Sequence, residues 1–290
     1  MAGYVSERAI IADLKDPILI AAFATPTKGG TTPMAALNYL VERWSARPVV
    51  EFAAEHLYDN TRHRPQLMTT EKGQRHLQWP TNTVYLANPE GSERSILLLI
   101  GIEPTTGWQE LVEGIQGFCR RNAVGTAVIL HSAPAQVSHR DQPRVNAIYG
   151  SPALLEKFGV PGTVFHDGPQ TFGTVLSLHL NSIGIATADL VALEPFYTPA
   201  LPDAAAALSL IQTLDRVFGI STDVESLKVM AIQQRQAYEN AVSTSEPLRS
   251  IVSNLDQAHV DQQDGNGTPV EADLSLKEVM DEVENILSLG

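Results

Sequence analysis

The chain has 290 residues, with 33 acidic and 20 basic side chains and a net charge of −13 when the histidines are neutral. This length is typical of two domains, or of one large domain with an appendage, and it buries enough surface to need no disulfide or metal cross-link. An acidic surface argues against nucleic-acid binding, which requires a basic footprint. No stretch reaches the roughly 18 apolar residues of a membrane helix, so we expect no membrane span.

Cysteine usage and the first residues predict the compartment. Cys119 is the only cysteine, which excludes an intramolecular disulfide and is typical of a reducing compartment. It lies in a helical pattern, where a core side chain is more common than a nucleophile. The segment 1–16 contains charges on both sides of a short apolar pair and lacks the apolar region of a signal peptide. We therefore expect a cytoplasmic protein.

A strand, a glycine turn and a helix open the chain. Ile18 to Ala24 contains no charge, as expected for a strand covered on both faces. The turn that follows contains Pro26 and two glycines, and Pro33 suits the first turn of a helix. A helix N-terminus after such a turn attracts anions. The predicted anion site comprises Lys28, Gly29, Gly30, Thr31 and Thr32.

An ordinary strand-to-helix turn is the alternative for this segment. Neither the phosphate-loop pattern nor the dinucleotide-binding pattern of glycines is present in 25–33. Both interpretations stay open from the residues alone.

Further strands and helices alternate up to about residue 220. The predicted strands are 48–52, 83–87, 95–102, 125–131 and 186–193, and the predicted helices are 108–122, 151–158, 174–180 and 202–219. The two strands at 83–87 and 95–102 form a hairpin around a polar turn. This alternation predicts an α/β fold, a three-layer α/β/α sandwich with a mostly parallel sheet. The loops 25–32, 53–65, 103–107, 131–143 and 165–172 then converge at one edge of the sheet.

The C-terminal part is predicted to be a small all-helical domain. Residues 223–290 hold 13 acidic and 4 basic side chains, whereas residues 1–222 are nearly balanced. Helical patterns cover 223–242, 245–258 and 274–289, with linker composition at 259–269. We predict an α/β/α domain at 1–222 and an acidic helical domain at 223–290.

Three polar residues at predicted strand ends or loops extend the candidate cleft. Glu103 ends a strand and could serve as a general base, although it is more often only a strand terminator. His131 ends another strand, and His166 lies in a glycine-rich loop. The eight histidines show no metal-binding spacing, so we predict a polar cleft and no metal or other cofactor.

Two surface loops are further candidates. Tyr58, Asp59, Arg62 and Arg64 lie in a long loop that either binds a partner or is simply solvated. The run 138–141, Ser-His-Arg-Asp, contains the residue types of a catalytic triad, but triads form by spatial geometry and this run is more typical of a polar loop.

Several segments together resemble one family, the proteasome assembly chaperone two (PAC2) family, in its bacterial branch. They are DPILIAAFATPTKGG, ALNYLVERW, EHLYDNTRHRP, ILLLIGIEPTTGW and the run from Pro143 to LPDAAAALSLIQTL. The resemblance implies a phosphorylase- or hydrolase-like α/β/α domain followed by a helical domain. It also implies a non-catalytic chaperone role, as in the eukaryotic and archaeal relatives.

Two hypotheses follow. The first is a non-catalytic binding or assembly protein that forms a homo-oligomer, with a trimer as a guess for its size, and that binds a protein partner. The second is an enzyme or binding protein for a nucleoside, nucleotide or other anionic small molecule, with its site in the candidate cleft.

Overall fold

The computed structural model describes residues 9–25, 30–52, 55–70, 73–162, 168–199 and 201–263. The strands are β1 (Ile18–Ala24), β2 (Arg47–Phe52), β3 (Gln66–Thr69), β4 (Arg75–Gln78), β5 (Asn82–Ala87), β6 (Ile96–Ile102), β7 (Thr126–Ala135), β8 (Val145–Gly150) and β9 (Ala186–Pro195). The helices are α1 (Thr32–Arg43), α2 (Trp108–Arg121), α3 (Pro152–Phe158), α4 (Phe172–Ser182), α5 (Ala204–Phe218), α6 (Glu225–Thr244) and α7 (Glu246–Gln263), with a short 3-10 turn at Glu55–Leu57. Among these residues, every helix is too short or too polar to cross a bilayer.

Seven strands form one sheet in the order β2-β5-β6-β1-β7-β9-β8. β6, β1, β7 and β9 are parallel neighbours, and β5 and β8 are antiparallel to the strands beside them. Since β2 is antiparallel to β5, five of the seven strands run in the same direction. The prediction of a mostly parallel sheet is confirmed, as is the hairpin of β5 and β6.

Two apolar cores lie on the two faces of this sheet. Alternate residues of β1 point to opposite faces, with Ile18 and Ile20 in one core and Leu19 and Phe23 in the other. α1, α3 and α5 cover the first face, and α2 and α4 cover the second. This arrangement confirms the α/β/α sandwich, and it explains the uncharged β1 segment, because both faces of that strand are buried.

The C-terminal helices pack on the α/β body. Leu227 of α6 belongs to the same core as α1 and α5. Val242 of α6 and Leu248 and Val252 of α7 form a smaller core with Tyr197, which follows β9. Helical structure is thus confirmed up to residue 263, and α7 includes residues 259–263, for which a linker was predicted. The boundary at residue 222 stays a prediction, and the helix predicted at 274–289 lies outside the described residues.

A hairpin that the sequence did not indicate projects between β2 and β5. β3 and β4 pair only with each other among the described strands, with Leu67 opposite Leu77. The Thr70 amide donates to the Gln74 carbonyl, and Gly73 adopts a φ of 78°, where a glycine is favoured. β3 begins directly after the loop predicted at 53–65, and the 3-10 turn Glu55–Leu57 lies within that loop.

The strands that share a direction end at one edge of the sheet, which we call the carboxyl edge. The loops after β1, β2, β6 and β7 leave from this edge. The α/β topology therefore places most of the predicted cleft residues at the same edge, and the side-chain contacts decide which of them meet.

Candidate functional site

The first turn of α4 is where two of the predicted cleft residues meet. The Phe172 amide donates to Oε2 of Glu103 at 2.8 Å. The ring of His131 lies against Gly173, where an added Cβ would be 2.9 Å from His131 Cε1. Gly173 is thus required for the close approach of α4 to β7, and both candidate residues contact the same helix end.

Glu103 acts here as a cap of α4. Its carboxylate accepts from the first residue of the helix, while Oγ1 of Thr171 accepts from the Thr174 amide. Together they satisfy amides that lack an intrahelical partner, and the negative charge lies at the positive end of the helix dipole. The geometry favours a capping role for Glu103 over the predicted general base.

His131 also contacts a buried acid. Its Nε2 lies 3.3 Å from Oδ2 of Asp189, a fully buried residue of β9. The other oxygen of Asp189 and the hydroxyls of Ser177 and Thr187 have no hydrogen-bond partner among the described residues. Asp189, Ser177 and Thr187 are fully buried, whereas the side chain of His131 is 13% exposed.

At its described end, the glycine turn brings Gly30 into close contact with Thr25. A Cβ on Gly30 would be 2.2 Å from Oγ1 of Thr25, so glycine is required there. Thr31 is the N-cap residue of α1 but makes no side-chain cap bond. Oγ1 of the buried Thr32 accepts from the Asp203 amide at 2.9 Å and so joins α1 to α5. Lys28, Gly29 and His166 lie outside the described residues, so their part of the predicted anion site stays a prediction.

The loop of candidate partner-binding residues divides into a buried and an exposed part. Tyr58 is only 6% exposed, and Asn82 donates to its hydroxyl, while burial raises the pKa of Tyr58 to about 12. Asp59 accepts from the amide and hydroxyl of Thr61, which lower its pKa, and lies 3.9 Å from Arg62. Tyr58 is therefore a core residue, and Asp59, Arg62 and Arg64 provide the surface.

Next to this loop is a group of exposed apolar side chains, which we call the hairpin surface. It comprises Leu67, Leu77 and Trp79, which are 59%, 53% and 45% exposed, and Leu67 and Leu77 are directly opposite each other in the hairpin. A groove of about 820 Å³ runs between the hairpin, the β5–β6 part of the sheet and α1. Sequence reasoning missed this surface, although the short connection of five residues that contains Gly73, between Gln66–Thr69 and Arg75–Gln78, was a usable signal.

The Ser-His-Arg-Asp run is not a catalytic triad. The backbone amide and Nδ1 of His139 both contact the Tyr197 hydroxyl, at 2.8 and 2.6 Å, and its Nε2 lies 3.3 Å from Oε1 of Glu239. Burial lowers the pKa of His139, and hydrogen bonds from Arg140 lower the pKa of Glu239 to about 2. This loop fastens the body to the C-terminal helices.

A small cavity of about 90 Å³ lies behind this loop, between the body and α6. Asp203, Tyr238 and Arg235 line it together with the loop after β7. Burial raises the pKa of Asp203, whose carboxylate accepts from the Ala206 amide as the cap of α5. Among the described residues, no three His, Cys, Asp or Glu side chains are grouped so as to hold a metal ion.

Comparisons with solved structures show where this fold occurs. A proteasome-assembly chaperone homologue of Mycobacterium tuberculosis is 24% identical with a TM-score of 0.72, over 81% of this chain and 99% of that one. A PAC2 family protein of Streptomyces avermitilis is 21% identical with a TM-score of 0.73, over 81% and 99%. PbaB of Pyrococcus furiosus, an archaeal proteasome activator, is 18% identical with a TM-score of 0.63, over 79% and 94%.

These likenesses establish the shared fold. No curated protein matches the chain in sequence. The PAC2 family model matches residues 30–242, which include every strand after β1 and all of α1 to α5. The chain therefore belongs to the PAC2 family.

Proposed function

We propose that this chain is a non-catalytic protein that binds other proteins and assists the assembly of a multisubunit complex of the proteasome type. Membership of the PAC2 family supports the proposal. Two structures with the same fold support it further, since one is a proteasome-assembly chaperone homologue and the other an archaeal proteasome activator. The two places where the sequence contains residue types used in catalysis make structural contacts, Glu103 at α4 and His139 at Tyr197.

The hairpin surface is the observation that carries this proposal. A two-stranded hairpin without a packed face is marginal in water, yet β3 and β4 expose every one of their residues. Exposed apolar side chains grouped beside a groove are typical of protein interaction sites. Trp79 and the nearby arginines are residue types that dominate binding free energies at such sites.

The predicted partner residues fit the same surface. Arg64 lines the groove together with Trp79, and Arg62 lies at a second depression beside Glu103 and Trp108. Asp59 orders the loop through its bonds to Thr61. The backbone from which the two arginine side chains extend is therefore held in place. We propose Asp59, Arg62 and Arg64 as the polar rim of the partner site.

Homo-oligomerisation and a cytoplasmic location belong to the same proposal. Val229, Met230 and Ile232 expose more than half of their surface on α6, which gives a second apolar area for subunit contacts. The single, buried cysteine suits a reducing compartment. Sedimentation velocity of the wild type and of a Val229→Ser, Ile232→Ser double variant tests the oligomer, which the variant should dissociate.

The partner experiment compares the hairpin surface with an exposed apolar residue elsewhere on the full chain. The test variant is Leu67→Ser with Leu77→Ser, and the control is Ile10→Ser, a residue 72% exposed at the other side of the body. Tagged proteins are mixed with the proteasome subunits of the source organism, and binding is measured by calorimetry. The wild type and the control should bind equally, and the double variant at least about tenfold more weakly. Equal binding by all three would reject the hairpin surface, and no binding by the wild type would reject the assembly role.

A further inference from the structure

The hairpin surface combines apolar side chains with a positive charge that is unusual in this chain. Residues 59–79 contain four Lys or Arg and two Asp or Glu, in a protein whose net charge is −13. Arg64 lines the groove, where Glu51 is the acidic residue, and Arg75 lies on β4. Two copies of the surface facing each other would bring these cations together, which opposes a symmetric hairpin-to-hairpin contact. The surface suits an occupant that is apolar on one side and acidic on the other.

The chain contains such an occupant in its last residues. Residues 264–290, which lie outside the described part, hold seven Asp or Glu and a single Lys. Their apolar residues recur at helical spacing, at Leu276, Val279, Met280, Val283 and Leu287. An amphipathic segment that places its apolar residues in a groove is a recurring mode of recognition between proteins.

The C-terminal helices bring the chain to within reach of the groove. α1 contacts both the groove and the start of α6. Met34 and Asn38 of α1 line the groove, and Tyr39 on the same helix bonds to the Asp223 carbonyl and to Ser226 at the start of α6. Packed helices lie about 8–10 Å apart, so two helix widths are about 20 Å.

The length of the connecting segment covers this distance. Arg140 bonds to Glu239 of α6 and to Asp256 of α7, so α7 runs back along α6 and returns the chain towards the start of that helix. The ten residues 264–273 between α7 and the apolar stripe span up to roughly 33 Å when extended. Docking within one chain is therefore sterically accessible.

We propose that residues 264–290 dock on the hairpin surface of their own chain, with the apolar stripe on Leu67, Leu77 and Trp79 and the carboxylates facing Arg64 and Arg75. A protein partner that uses the hairpin surface then has to displace this segment, and its apparent affinity falls by the fraction of chains in which the segment is docked. Only this consequence rests on the proposed function; the docking itself needs no partner.

Disulfide trapping in the full chain tests the docking. The native Cys119 is fully buried, and burial raises its pKa to about 12, so it does not compete in the reaction. The test protein carries Leu77→Cys and Met280→Cys, and the control carries Ile10→Cys and Met280→Cys. Mild oxidation should close an intramolecular disulfide in the test protein, at a rate independent of protein concentration and at least about tenfold faster than in the control.

Two further variants of the test protein examine whether apolar contacts and charge cause the docking. Val279→Asp with Val283→Asp removes the apolar stripe, and Arg64→Glu with Arg75→Glu reverses the charge of the surface; each should slow trapping about fivefold or more. Equal trapping in the test and control proteins would overturn the proposal, and so would a covalent dimer in place of the closed monomer, since the occupant would then be a second copy. None of these outcomes depends on the partner experiment, so the two proposals fail separately.

Discussion

Arg140 and Glu239 form a two-bond ion pair in which Nε and Nη2 of the guanidinium donate to the two carboxylate oxygens at 2.8 Å each. The remaining nitrogen, Nη1, donates to Asp256 of α7 at 2.7 Å. Arg140 belongs to the loop after β7, whereas the two acids belong to separate helices. One side chain therefore joins the sheet domain to both described C-terminal helices.

We expect Arg140→Ala to loosen α7 more than it destabilises the whole protein. The side chains of Arg140 and Glu239 are 39% and 32% exposed, so the loss should be about 1 kcal/mol despite the paired geometry. Hydrogen exchange should rise in α7 and in the last turns of α6. The control is Lys228→Ala, which removes an exposed pair with Glu225 within α6 and should change stability by less than about 0.5 kcal/mol. Unchanged exchange in α7 would contradict the proposed fastening.

The junction should weaken as the pH falls. Burial lowers the pKa of His139 below its ordinary 6.5, and Arg140 lowers that of Glu239 from 4.5 to about 2. For both groups the folded pKa lies below the unfolded value, so their contributions are complete above about pH 6.5 and are lost in acid, first for His139 and then, below 4.5, for Glu239.

The measurement for this prediction is urea unfolding between pH 4.5 and 8. His139→Gln should flatten the fall in the free energy of unfolding below pH 6.5, because the variant has no group to protonate in that range. His179→Gln, on the exposed side of α4, is the control and should keep the slope of the wild type. An equal slope in His139→Gln would show that other groups cause the dependence.

Gly101→Ala should be among the most destabilising substitutions in the sheet. An added Cβ would lie 1.6 Å from Oδ1 of Asn82, which accepts from the Ile102 amide, while the Asn82 amide group donates to Tyr58. Displacing Asn82 leaves buried polar groups without partners, at a cost of about 1–3 kcal/mol. Gly125→Ala is the matched control, because no atom lies within 4 Å of its added Cβ, and denaturant unfolding of both variants measures the difference.

Glu103→Ala should destabilise α4 by about 1 kcal/mol, the usual loss for a helix cap. Glu103→Gln keeps an oxygen acceptor for the Phe172 amide and should lose less. If Glu103 instead belonged to an anion or nucleotide site, phosphate or a nucleotide at 100 times its dissociation constant would raise the stability of the wild type by about 2.7 kcal/mol. We expect no such rise in a thermal-shift series, and a rise abolished by Glu103→Gln would revive the enzyme alternative.

Local patterns were sufficient for the elements with buried, periodic sequences. β1 was predictable because a strand covered on both faces needs apolar residues at every position. This pattern can be recognised within the seven residues of the strand. α5 was predictable from Asp203, which caps it, and from Gly219, which ends it with a φ of 67°. The hairpin of β3 and β4 was missed because neither strand has a buried face to impose an apolar period.

Side-chain environments were much less predictable. Tyr58 lies in a polar segment that predicts a surface loop, yet its ring packs in the core and its hydroxyl contacts Asn82, which is 24 residues away. Of the cleft residues, Glu103 and His131 do approach the same helix end, as the topology required. Only the tertiary structure shows that Glu103 is hydrogen-bonded to the Phe172 amide and that His131 contacts Asp189.

The amino-acid sequence by itself determined the layered α/β/α architecture, the helical character of the described C-terminal region and the absence of a recognisable catalytic motif, since each depends on periodicity or spacing along the chain. Tertiary structure alone decided that Arg140 fastens two helices to the sheet and that Leu67, Leu77 and Trp79 remain uncovered. The physical reason is that burial and pairing depend on residues distant in sequence, which a local pattern does not specify.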